Sequence, residues 1–139
     1  MDIIKFPGTN KRLYELVCSL VMNPAVLRQN NNYPFKTSAK YVWYVATEEG
    51  QTIGFMPVKA TETNNYLIDN YYVNGDNFTL LKSLLEEVIK DHKDEANIWA
   101  TVHKRHVELF VQNGFRIHVE WKNYDKMKYC SKKRVVCTD

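Results

Sequence analysis

The sequence predicts an α+β (α/β) fold: a mixed, mostly antiparallel central sheet of about six to seven strands flanked by about four helices. Short β-branched and aromatic runs recur along the chain, bounded by turn residues. Apolar residues at helical spacing mark longer amphipathic segments between them. The order of the segments is strand, helix, short helix, three strands, helix, strand, helix and two strands. Antiparallel neighbours therefore come first, and a helical crossover follows.

Ile3, Ile4 and Phe6 form the first apolar run, and Pro7-Gly8 turns the chain. Leu13, Leu16, Val17, Leu20 and Val21 then recur at helical spacing, with Thr9 or Asn10 as the cap. Asn23-Pro24 ends that helix, because the residue before proline is pushed out of the helical region. Ala25 to Gln29 is a short helix, and Asn30 to Ser38 is a polar loop. Tyr41 to Thr47 lacks clean alternation, as a strand covered on both faces does. Thr52 to Lys59 is the next strand, where Gly54 and Pro57 suggest an edge or a bulge. Tyr66 to Val73 completes the meander.

Asn74-Gly75-Asp76-Asn77 is a turn cluster, with Asp76 or Asn77 capping the helix that carries Leu81, Leu84, Leu85, Val88 and Ile89. Asn97 to Val102 is a buried strand. The next helix carries Val107, Phe110 and Val111 and closes at Asn113-Gly114, which supplies a left-handed residue. Phe115, Ile117, Val119 and Trp121 alternate with polar residues as a half-exposed strand, and a last strand ends at Met127 to Tyr129.

The chain has 139 residues, 45% hydrophobic and 25% charged, the size and balance of one globular domain. We expect one domain over 1–129 and a basic tail over 130–139 holding Lys132, Lys133 and Arg134. A formal net charge of +3 does not mark a nucleic-acid binder, and the terminal run reads as a solvated tail. Cys18, Cys130 and Cys137 fit no zinc or redox spacing. Cys18 lies on the apolar side of its helix, and Cys130 and Cys137 are close enough in sequence to pair under oxidation. With no signal peptide at Met1–Phe6 and no bilayer-length apolar run, the expected location is the reducing cytoplasm.

Several stretches resemble the GNAT N-acetyltransferases in this order and at these spacings, over roughly Ile3 to Tyr129. Leu109-Phe110-Val111-Gln112-Asn113-Gly114-Phe115 resembles the family's helix-then-strand segment ending in Gly-Phe. Lys126-Met127-Lys128-Tyr129 resembles the final strand with its Met-x-Lys pattern, and Ile68-Asp69-Asn70-Tyr71-Tyr72-Val73 the strand that enters the cofactor loop. The resemblance implies acetyl-CoA as co-substrate and a small-molecule or peptide amine as acceptor, in a monomer or homodimer. Tyr71, Tyr72 and Val73 would face the pantetheine arm. Asp76, Asn77, Phe78 and Thr79 would form the pyrophosphate loop, and Phe110 would lie by the cofactor.

The resemblance departs from the family at two places. The family's loop reads Arg/Gln-x-x-Gly-x-Gly/Ala, so that glycines let backbone amides reach the pyrophosphate. Registering the loop on Leu84-Leu85 puts Asp76 to Leu81 there, with an acid in place of the basic or amide residue. Asp76 either repels a pyrophosphate or caps the helix. Phe110 occupies the place of the tyrosine that protonates the departing thiolate, and it has no proton to give.

His103, at a strand end near the expected thiol, is the candidate replacement acid. His103 and His106 stand three apart with no third ligand, so no metal is expected; their plain reading is a pair of histidines at a partly exposed rim. Asp69 is the candidate general base, sharing a strand face with Leu67, Tyr71 and Val73; its alternative is a surface carboxylate or a lysine partner. Tyr33, Phe35, Trp121 and Tyr124 are the aromatic candidates for the acceptor site.

The first functional expectation is an acetyl-CoA-dependent N-acetyltransferase. The alternative is a GNAT-like domain that has lost turnover and serves as a binding or regulatory module. A nucleic-acid-binding protein is a third reading, against which most aromatics fall in strand patterns that core packing explains.

Overall fold

A computed structural model describes residues 1–62, 64–94 and 96–130. The expected basic run and the Cys137 partner of Cys130 lie outside the described residues.

The chain forms β1 (Asp2–Pro7), α1 (Lys11–Val21), α2 (Pro24–Gln29), β2 (Tyr41–Glu48), β3 (Gln51–Glu62), β4 (Asn65–Ile68) and β5 (Tyr72–Val73). It continues through α3 (Phe78–His92), β6 (Asn97–His103), α4 (Val107–Gln112), β7 (Phe115–Glu120) and β8 (Tyr124–Tyr129). The strands form one sheet in the order β1-β2-β3-β4-β6-β8-β7, with β5 also on β3. Among the described residues only β4–β6 is parallel. This is the mixed, mostly antiparallel sheet expected, with one strand more because Tyr66 to Val73 is two strands.

Two apolar clusters cover the sheet from opposite sides. On one, α3 lays Leu81, Leu84, Leu85 and Val88 on Tyr44, Met56, Ile68 and Ile98, and α4 adds Phe110. On the other, Leu13 and Val17 of α1 and Val26 of α2 cover Trp43, Val45, Phe55 and Tyr72. Alternate residues of β2 enter opposite clusters, which is why its sequence shows no alternation. The α1–α2 layer stops at β3 and β5, so the same face of β4, β6, β8 and β7 is left open.

Local chemistry sets the element ends. Asn10 and Asn23 cap α1 and α2 by accepting from the N–H of Arg12 and Ala25, each at 2.8 Å. Gly114, at φ +99°, closes α4 as expected.

Three expectations need correction. First, β3 is an interior strand, not an edge. Its bulge falls where Ala46 pairs Gly54 and Thr47 pairs Thr52. Gly54 is required there: a Cβ would meet the Tyr72 carbonyl oxygen at 2.8 Å. Pro57 is tolerated because its carbonyl accepts from Asp69 N–H at 3.4 Å, so its missing donor falls beside a ladder already broken. Second, Ile117 and Val119 are exposed, because β7 is the sheet edge and six-residue α4 reaches only Phe115. Third, His106 is buried rather than on a rim.

Candidate functional site

The site begins with the break between β4 and β5. Ile68 pairs Val58 and Tyr72 pairs Phe55, so this strand carries one more residue than β3 over the same span. Asn70 absorbs the excess in a left-handed conformation, φ +54°, which asparagine tolerates well. The bulge has two results. It reverses the alternation, so Tyr71 turns to the α3–α4 side and does not share a face with Asp69. It also ends the parallel ladder at Ile68–Ala100, while Thr101 to His103 stay paired with β8. Beyond that point the sheet opens as a wedge between Asp69–Val73 and Thr101–His103.

An open cleft of about 570 Å³ lies on the uncovered face, within the range of small-molecule sites. Asp69, Asn70 and Thr101 form its floor beside the wedge, and Tyr33, Tyr41, Trp121 and Tyr124 form its walls. Burial pushes the Asp69 carboxyl above the usual carboxylate range; the Asn70 backbone N–H and the charges of Lys59 and Lys36 oppose that rise. Burial likewise raises the Tyr124 phenol, so it carries its proton at neutral pH; Arg105 opposes the rise, and Tyr33 and Asp69 add to it. The Tyr124 hydroxyl oxygen is buried and has no hydrogen-bond partner among the described residues. Tyr124 also borders the wedge, where its ring lies 5.3 Å from that of His103.

The wedge is filled by the protein's own side chains. Its remaining cavity is about 10 Å³, room for one water at most. Asp76 accepts from Arg105 Nε at 2.9 Å through one carboxylate oxygen and stands 2.7 Å from His106 Nε2 through the other. Burial pushes the Asp76 carboxyl up, but the bonds and charges of His106 and Arg105 outweigh it and hold the group ionised. His106 Nδ1 lies 2.7 Å from the Tyr71 hydroxyl. Burial, with Arg105 and His103, lowers the His106 pKa against the opposing pull of Asp76. A neutral His106 therefore donates from Nε2 to the carboxylate and accepts at Nδ1 from Tyr71. Arg105 also donates to the Gln29 carbonyl at 3.2 Å, and Asn30 Nδ2 donates to Asn70 Oδ1 at 2.9 Å. The end of α2 is thus tied across the wedge.

The start of α3 lies at the far end of this network. Asn77, not Asp76, is the cap: its side chain accepts from Leu80 N–H at 3.1 Å and its carbonyl from Leu81 N–H at 3.0 Å. Asn77, Phe78 and Thr79 are exposed, and the amides of Phe78 and Thr79 have no acceptor among the described residues. Both central readings of Asp76 are therefore replaced by a third. It does not cap and does not stand free, because Arg105 pairs its charge and His106 donates to its second oxygen.

Of the remaining site candidates, His103 is half-buried, and its Nδ1 accepts from Arg105 N–H at 3.2 Å, which leaves Nε2 with the proton. Burial and Arg105 lower its pKa, against a smaller opposing effect of Asp76. Tyr72 packs on Phe55 under α1, Val73 lies in the α3 core, and Phe110 is enclosed between Tyr71 and Phe115. None of these three side chains borders the wedge or the cleft. Phe35 packs on Phe55, away from the cleft. Arg105 and the cleft lysines are absent from the sequence reading. Their partners come from distant segments, and no local spacing announces them. No group of three or more His, Cys, Asp or Glu side chains that could hold a metal occurs among the described residues. Among them no helix is long and apolar enough to cross a membrane.

No family model matches this sequence, and no curated protein matches it. Solved structures do match its fold. An acyl-CoA N-acyltransferase from Pseudomonas aeruginosa superposes with a TM-score of 0.71 at 13% identity, covering 94% of this chain and 100% of that one. ElaA of Escherichia coli gives 0.74 at 10% identity, covering 93% and 99%. A GNAT family acetyltransferase from Elizabethkingia anophelis, with acetyl-CoA bound, gives 0.61 at 16% identity, covering 92% and 96%. The chain has the GNAT fold, as the resemblance implied.

Proposed function

We propose that this protein is an acetyl-CoA-dependent N-acetyltransferase whose amine acceptor occupies the 570 Å³ cleft. The observation that carries this reading is the bulge at Asn70. It opens the sheet at the place where Asp69, with its raised pKa, and the unpartnered Tyr124 hydroxyl converge.

Acetyl-CoA would supply the acyl group as an activated thioester. The residues present fit it at the phosphate end: the α3 start offers two unused amides and the positive end of a 15-residue helix. At the wedge the fit requires the Tyr71–His106–Asp76 chain to rearrange while Arg105 stays as the counter-charge of Asp76.

Asp69 removes the proton from the acceptor amine. A base held above the ordinary carboxylate range suits that step better than an unperturbed one. Tyr124 holds a proton at Oη at the junction of cleft and wedge. It would thereby supply what Phe110 cannot. The tyrosinate left behind would regain its proton from solvent through the open cleft, since a neutral His103 has no acidic proton to return.

The filled wedge favours a second reading, a non-catalytic module in which the Asp76–His106–Tyr71 chain has taken the cofactor's place. Isothermal titration with acetyl-CoA separates the two. Saturable binding, followed by product formation that Asp69→Asn abolishes, supports the enzyme. Absence of binding leaves the module.

A further inference from the structure

The open cleft has an uneven charge. Lys36, Lys59 and Lys122 border it, and Asp69 is the one acid among its lining residues. None of these lysines makes an ion pair among the described residues. Asp125, on the strand that follows Lys122, is buried and committed to Lys104. Lys59 Nζ stands 5.9 Å from the centroid of the Tyr41 ring, and Lys36 and Lys59 both act on the charge of Asp69. Lys122 lies on the other wall, between Trp121 and Asn123. Three cations drawn from a loop, a strand and a turn thus border a cleft that holds one carboxylate, and two of them act on its charge. A simple amine brings one positive charge to a site that already has an excess of them.

We propose that the cleft takes amines that also carry an anionic group, a carboxylate or a phosphate, with the amine at Asp69 and the anion held by Lys36, Lys59 and Lys122. The amine half of this inference rests on the acetyltransferase reading; the anion half does not. The aromatic walls suit an aromatic or apolar body. Cations on flexible stems recognise carboxylate and phosphate alike, as point charges.

The test is binding to the full chain without acetyl-CoA, followed by amide chemical shifts. Matched probes differ only in the anion: tryptophan against tryptamine, and O-phosphoethanolamine against ethanolamine. The expected result is saturable binding of at least one anionic member, at least about tenfold tighter than its partner, equivalent to about 1.4 kcal/mol. Which pair responds distinguishes carboxylate from phosphate. Binding weakens with added salt. Lys59→Gln and Lys36→Gln each weaken it severalfold, whereas Lys82→Gln, on exposed α3, leaves it unchanged. Equal binding within both pairs overturns the proposal, as does no shift from either anionic probe at millimolar concentration. An outcome in which the anionic amine binds but acetyl-CoA does not would overturn the acetyltransferase reading alone.

Discussion

Two cavities meet at Tyr124, and they are built on opposite plans. The cleft is wide and open; its three lysines and one carboxylate form no ion pairs among the described residues, and it holds a buried hydroxyl. In the wedge, Tyr71, His106, Asp76 and Arg105 satisfy one another, and little space is left. A buried polar group without a partner is costly, so a fold keeps one where a ligand will complete it. On the proposed reading, the difference teaches that an acceptor side is preformed and a cofactor side is latched. The latch ties the α3 loop, the β6–α4 connection and the end of α2, the three segments around the wedge.

The largest effect that would break this comparison is on the cleft side. Asp69→Asn should lower acetyl transfer by about 10²–10⁴-fold while acetyl-CoA affinity stays unchanged. Equal loss of affinity in calorimetry would move Asp69 from catalysis to cofactor binding. Next comes the wedge. His106→Ala removes the buried shared partner of Tyr71 and Asp76, leaving Asp76 to Arg105 alone and a cavity between them. We expect about 2–4 kcal/mol less stability in urea unfolding. A cost under about 0.5 kcal/mol would show that the network is not what closes the wedge.

A smaller effect comes with pH. His106 and Asp76 both have folded pKa values below their unfolded values, so the unfolded chain binds more protons and stability falls as pH falls. The His106 share is full above about pH 6.5 and is lost as pH drops towards its depressed pKa; the Asp76 share is lost lower, below about pH 4. Asp69 has the opposite sign: its raised pKa costs stability as pH rises through it. Urea midpoints at pH 7.5 and 5.0 should therefore differ more in the wild type than in His106→Gln. The smallest expected change is in Arg105→Ala, with about 0–1 kcal/mol of stability lost.

Much of the fold was legible in the sequence because it depends on period. Leu81, Leu84, Leu85 and Val88 gave α3 by spacing alone, and the unbroken β2 run announced a strand covered twice. Asp69 was legible too, since alternation placed it opposite the core residue Ile68. The bulge was not. Asn70 costs one residue of register without disturbing local composition, and it moved Tyr71 to the other face. Asp76 was read as a cap or a repellent because its partners, Arg105 and His106, lie 29 and 30 residues away. Contacts at that separation leave no periodic trace. The cleft lysines come from three separate segments and were invisible for the same reason.

Calorimetric titration of acetyl-CoA into the wild type tests the central claim most directly. The account predicts saturable micromolar binding, about −8 kcal/mol. No heat at millimolar acetyl-CoA would contradict it and leave the wedge a structural core rather than a latched site.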